Sequence, residues 1–119
     1  MAELYRITGY VKNYKVGDVR DALVQIGVDN LTYDEMRLAV MDPTARKENG
    51  AISKIDFIPQ ARLEVLVEGE RTRDLVVLAI TSAARTRKTE EGLVYWSKVE
   101  GAIRVIDGSL YHTQPVPQK

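Results

Sequence analysis

"SKIDFIPQARLEVLVEGERTRDLVVLAITSAAR", residues 53–85, reads as a strand followed at once by a helix. In its first half Ala61, Leu63, Val65 and Val67 face one way and Arg62, Glu64 and Leu66 the other, the repeat of two that a strand requires. Pro59 cannot donate to a ladder, so it marks a bulge or an edge position within that strand. In the second half Leu75, Leu78, Ala79 and Ser82 fall on one helical face, and the alanine-rich end suits close packing against a sheet.

Upstream, "LTYDEMRLAVM" reads as a second strand, separated from the first by "DPTARKENGAISK", residues 42–54. A strand pair needs about two to five residues for its turn, so this long polar segment is read as a binding loop rather than a floppy insertion. Before it, "VGDVRDALVQIGVDN" sets Val19, Ala22, Leu23 and Ile26 on one stripe, and Gly27 is a helix stop. At the start, Tyr5, Ile7, Gly9 and Val11 alternate with Leu4, Arg6, Thr8 and Tyr10 in a half-buried strand.

Downstream, "GLVYWSK" and "GAIRVI" read as two short strands, and Asp107-Gly108 turns the chain into a proline-bearing arm, residues 109–119. The order strand, helix, strand, strand, helix, strand predicts an α+β, ferredoxin-like βαββαβ fold with a short extra C-terminal strand: an antiparallel sheet with two helices on one face. Length and composition predict one domain over residues 1–119.

Lys and Arg number 17 against 17 Asp and Glu, so no bulk charge attracts nucleic acid or an anionic membrane, and any anion binding has to be local. The absence of cysteine excludes thiol nucleophiles and thiolate metal sites, and the one histidine, His112, falls in the tail, which argues against zinc. Glu64 and Asp56 have no nucleophile or base at a spacing that forms a catalytic set, so an enzyme is not expected. Trp96 is read as a core or subunit-interface residue. No apolar run suits a signal peptide or membrane span, which predicts a cytoplasmic protein without direct membrane insertion.

Nearly the whole chain resembles the PII signal-transduction proteins: "DVRDALVQIGVDNLTYDEM" their first helix and second strand, "IDFIPQARLEVLV" their "DFLPKVKIEIVV"-like third strand, and "VEGAIRVIDG" their closing "VIRIRTGE" stretch. The resemblance implies a homotrimer that binds ATP or ADP, often with 2-oxoglutarate, in clefts between subunits and reports to a transporter or enzyme. Residues 42–54 fall where that family carries its T-loop, which assigns partner contact to Arg46, Lys47, Glu48, Asn49 and Gly50.

The departures are specific. Where typical members read "TGKIGDGK", this chain reads "TRKTEEGL", keeping Thr86, Lys88 and Gly92 but losing glycines that let backbone approach phosphate. "LAVMD", residues 38–42, replaces the Gly-Phe-Gly-Arg-Gln segment used for magnesium and 2-oxoglutarate, and the loop has no tyrosine to be uridylylated. Of two terminal arginines Arg104 remains and the second is Ile106.

Arg85, Arg87, Lys88 and Arg104 either supply a guanidinium and ammonium cradle in place of the glycines, or pair with Glu90 and Glu91 as a solvated corner. Thr32 and Leu66 match the adenine side of the family's cleft, and both also suit ordinary strand positions. The expected nucleotide site is therefore Thr32, Leu66, Thr86, Arg87, Lys88, Gly92 and Arg104, with ADP or AMP favoured over ATP, no obligatory cofactor and no metal. The rival readings are a trimeric scaffold with a decayed pocket and, last, a small ferredoxin-fold enzyme.

Overall fold

The computed structural model describes residues 2–28, 30–41, 55–85 and 92–112. Six elements follow in the expected order: β1 (Leu4–Lys12), α1 (Val16–Gln25), β2 (Thr32–Met41), β3 (Ile55–Glu68), α2 (Glu70–Ala84) and β4 (Leu93–Val99). The strands form one antiparallel sheet in the order β2-β3-β1-β4. This is the ferredoxin-like arrangement of an α+β fold.

The alternating pattern decides which sheet face is covered. Tyr5, Ile7 and Val11 of β1 and Ala61, Leu63, Val65 and Val67 of β3 are buried with Val19 and Leu23 of α1 and Val76 and Ile80 of α2. Successive strand side chains point to opposite faces, so Arg6, Tyr10, Arg62, Glu64 and Leu66 occupy the other face. α1 ends as its sequence requires: Gly27 N–H donates to Val24 O at 3.0 Å, Val28 N–H to Leu23 O at 2.9 Å, and Gly27 has φ 93°. That pair of bonds is the Schellman stop, and the left-handed residue within it favours glycine.

β1 pairs with β3 only as far as Lys12 opposite Gln60, and Pro59 is the next residue along β3. Its missing N–H removes nothing from the β1 ladder, so the edge position expected for this proline is met in a strand that is central elsewhere.

Three expectations are corrected. The buried stripe of α2 is Thr72, Val76 and Ile80, not Leu75, Leu78, Ala79 and Ser82; Leu78 is 60% exposed. Residues 75–80 are apolar on every side, so the helical period alone allows more than one inward face and the sheet selects among them. In place of a strand over residues 101–106 there is one bridge, Ile103 opposite Leu110. Of the two places read for Trp96, core or subunit interface, the core is ruled out: on the edge strand β4 it is 46% exposed in the single chain, and its ring lies under the Arg73 guanidinium, 5.5 Å from the centroid.

Candidate effector site

The open face of the sheet is a set of cross-strand rungs. Thr32 opens β2 opposite Glu64, which lies opposite Thr8 of β1; Leu66 lies opposite Arg6. Thr32 and Leu66 therefore share a face, Thr32 exposed and Leu66 half-buried. Thr32, Tyr33, Asp34, Arg62 and Glu64 line a shallow cavity of about 260 Å³.

The next rung carries charge. The Arg62 guanidinium donates from Nε to Asp34 Oδ1 at 3.3 Å and from Nη2 to Asp34 Oδ2 at 3.2 Å, a two-pronged bond between directly opposed residues of β2 and β3. The Asp34 charge raises the guanidinium pKa, with hydrogen bonding to Tyr10 next in effect. Tyr10 is itself pushed up, first by its hydrogen bond with Tyr95, whose ring centroid lies 6.2 Å away. Both members of the ion pair are about half exposed, and pairs so placed contribute little to stability.

Gly92 immediately precedes Leu93, which faces Tyr10, itself opposite Arg62. A Cβ on Gly92 would meet Tyr10 O at 3.1 Å, which makes glycine the fitting residue for that close approach. Arg85, just past α2, is exposed with extended backbone, φ −63° and ψ 135°.

Arg104 belongs to the opposite end of the sheet. β4 ends at Val99 opposite Leu4, and the hairpin beyond is held by Arg104 N–H to Ser109 O and Gly108 N–H to Arg104 O, both 2.8 Å, and Tyr111 N–H to Ala102 O, 2.9 Å. Asp107 Oδ1 accepts from the Ser109 hydroxyl at 2.6 Å and its backbone N–H at 2.9 Å, bonds that hold the carboxyl below its ordinary range. The turn is well built, yet its apolar side chains face outward: Val105 is fully exposed and Ile106 84% exposed.

The seven residues of β4, roughly 23 Å of strand, lie between Gly92 and the base of this hairpin. One chain thus sets Thr32 and Leu66 on one face of the sheet, and it holds Gly92 and Arg104 at opposite ends of β4, too far apart to reach the same ligand. Thr86, Arg87 and Lys88, like Arg46, Lys47, Glu48, Asn49 and Gly50, lie outside the described residues. Arg62 and Asp34 escaped the sequence reading as site residues, since only the β2–β3 register sets them face to face.

Among the described residues no group of three or more His, Asp or Glu is placed to hold a metal ion, and no helix is long and apolar enough to cross a membrane. His112, read from the sequence as a tail residue, contacts the sheet: its Nδ1 is 3.1 Å from Glu68 Oε1, beside a cavity of about 360 Å³.

No family model matches the chain. It is 34% identical over 104 residues to nitrogen regulatory protein P-II of Haemophilus influenzae, covering 87% of this chain and 92% of that one. It is 28% identical over 103 residues to nitrogen regulatory protein GlnK of Escherichia coli K12, covering 86% and 91%. In fold it is similar to Arabidopsis thaliana PII in a crystal structure with citrate, at a TM-score of 0.71 and 22% identity, covering 92% of this chain and 90% of that one. Identity at this level across nearly the full length of both chains, on the same ferredoxin-like frame, means that this chain belongs to the nitrogen regulatory protein P-II family, whose members are signalling regulators rather than enzymes.

Proposed function

We propose that residues 1–119 form one PII-type domain that assembles as a homotrimer, takes an adenine nucleotide between neighbouring subunits, and passes the signal to a cytoplasmic face of a membrane transporter or to a metabolic enzyme. The observation that carries this reading is the separation of Gly92 from Arg104 along β4. A site that uses both needs Gly92 from one copy and Arg104 from the next. The outward Val105 and Ile106 on a rigid turn support the same assembly, since exposed apolar side chains on an ordered hairpin gain by being covered.

In this reading Thr32 and Leu66 hold the base, and Thr86, Arg87, Lys88 and Gly92 with a neighbour's Arg104 hold phosphate. Glu90 and Glu91 repel a long phosphate chain, so ADP or AMP binds more tightly than ATP. Residues 42–54 contact the partner through Arg46, Lys47, Glu48, Asn49 and Gly50, and residues 109–119 act as a C-terminal arm. A ligand biases such a contact only by its differential affinity for two states, about 1–3 kcal/mol in a working switch.

Sedimentation together with calorimetric titration of AMP, ADP and magnesium ATP tests the reading. A trimer that binds ADP or AMP most tightly, and loses affinity in Arg104→Ala while remaining trimeric, supports it. A monomer, or tightest binding by ATP, overturns it. The glutamates of "TRKTEEGL" favour one other reading, a trimeric scaffold with no effector, which the same titration reveals as a trimer that binds none of the three.

A further inference from the structure

We propose that Arg62 is an additional anion anchor of this cleft, and that Asp34 occupies it at rest until an effector displaces the Asp34 carboxylate and removes that side-chain staple between β2 and β3. The inference rests on the nucleotide reading above and names a regulatory step within it.

Four observations carry it. The Asp34–Arg62 bond has the two-pronged geometry with which guanidinium binds a ligand carboxylate or phosphate, so Asp34 stands where such a group would sit. The pair is about half exposed, and solvent access lets a dissolved anion compete with it. It lines the same cavity as Thr32 and Glu64. It also lies on the rung of Tyr10 and Leu93, one residue from Gly92 at the start of β4.

The chemistry of the cavity narrows the ligand. Glu64 presents a carboxylate beside the anion, which disfavours a bare anion and favours one flanked by a hydroxyl or amino hydrogen-bond donor; the Thr32 hydroxyl accepts or donates as required. A nucleoside monophosphate or diphosphate has that combination. A hydroxycarboxylate such as citrate has it too, and inorganic phosphate does not present it in the same way.

The mechanical consequence follows from register. Asp34 is opposite Arg62, and the β2–β3 ladder continues from there to Met41 opposite Ile55. Taking Arg62 away from Asp34 removes a side-chain staple from that ribbon while the backbone ladder persists.

The test is calorimetric titration of the full chain and its Asp34→Asn, Arg62→Ala, Arg62→Lys and Arg104→Ala variants with AMP, citrate and inorganic phosphate, with circular dichroism to check folding. Asp34→Asn is expected to tighten AMP binding about fivefold, and Arg62→Ala to weaken it about tenfold, with Arg62→Lys in between. Saturating AMP is expected to speed hydrogen exchange across residues 34–41 in the wild type and to leave Asp34→Asn, already unfastened, unchanged. The same pattern with citrate alone supports Arg62 as the anchor and places the effector among carboxylates. Affinity unchanged in both Asp34→Asn and Arg62→Ala, while Arg104→Ala weakens binding, overturns this inference and leaves the nucleotide cleft standing. Inorganic phosphate binding as tightly as AMP overturns the role given to Glu64. A wild type that binds none of the three overturns this inference, while ADP binding in the titration above decides the nucleotide reading separately.

Discussion

His112 Nδ1 lies 3.1 Å from Glu68 Oε1, joining the last described residue to the last residue of β3. The contact closes residues 102–112 onto the end of the sheet, where the Tyr111 N–H already donates to Ala102 O at 2.9 Å. A single side-chain hydrogen bond contributes about 1 kcal/mol, so His112→Ala is expected to move the thermal midpoint little and to speed hydrogen exchange at the Tyr111 amide. Unchanged exchange there would mean that the backbone bond suffices.

The inward face of α2 is open to a direct comparison. Ile80 is fully buried against the sheet and Leu78 is 60% exposed. Ile80→Ala is expected to destabilise by about 2–5 kcal/mol and Leu78→Ala by less than about 1 kcal/mol in denaturant unfolding. Equal losses would refute the assigned face.

Arg73 sits over two rings, 4.8 Å from the Tyr5 centroid and 5.5 Å from that of Trp96, and is bonded through Nε to Asp74 at 2.9 Å. It fastens α2 to β1 and to the edge strand β4. Removing it in Arg73→Ala is expected to lower the thermal midpoint by a few degrees and to change the Trp96 fluorescence of the folded protein. A variant with wild-type fluorescence and midpoint would show that the stacked guanidinium adds nothing.

Glu3 is a local source of acid sensitivity. Lys98 hydrogen-bonds to Glu3, the Tyr5 hydroxyl donates to it at 3.0 Å, and both hold the carboxyl below its ordinary 4.5. A carboxylate with a lowered pKa stabilises the fold above its unfolded value, and that stabilisation disappears as pH falls through the lower, folded value. Wild type is therefore expected to be more stable than Glu3→Gln at pH 7, with the gap narrowing below pH 4.5 and closing under stronger acid. A gap that persists undiminished in strong acid would assign the effect to something other than ionisation.

The sequence makes some of these features legible and hides others for identifiable reasons. Tyr5, Ile7 and Val11 and the Ala61–Val67 alternation reveal β1 and β3 because each has one wet face, and the α1 stripe with Gly27 reveals a helix and its stop. The face of α2 is hidden because Leu75 to Ile80 is apolar all round, so only the shape of the sheet decides it. "GAIRVI" has the composition of a strand but gains only the Ile103–Leu110 bridge, because its partner is the short return of its own hairpin. Thr32 and Leu66 were accessible through resemblance, and their common face follows from strand parity. The Asp34–Arg62 pair spans two strands and a long intervening segment, so no local pattern announces it.

The distance between Gly92 and Arg104 has a genetic corollary. When each seam of a ring takes one end from one protomer and the other end from its neighbour, a protomer crippled at Gly92 and another crippled at Arg104 repair each other: co-expressed, they form some seams that draw both intact ends from different alleles. Intragenic complementation between two such inactive alleles is the behaviour expected of this geometry, and two alleles damaged at the same end have none to offer.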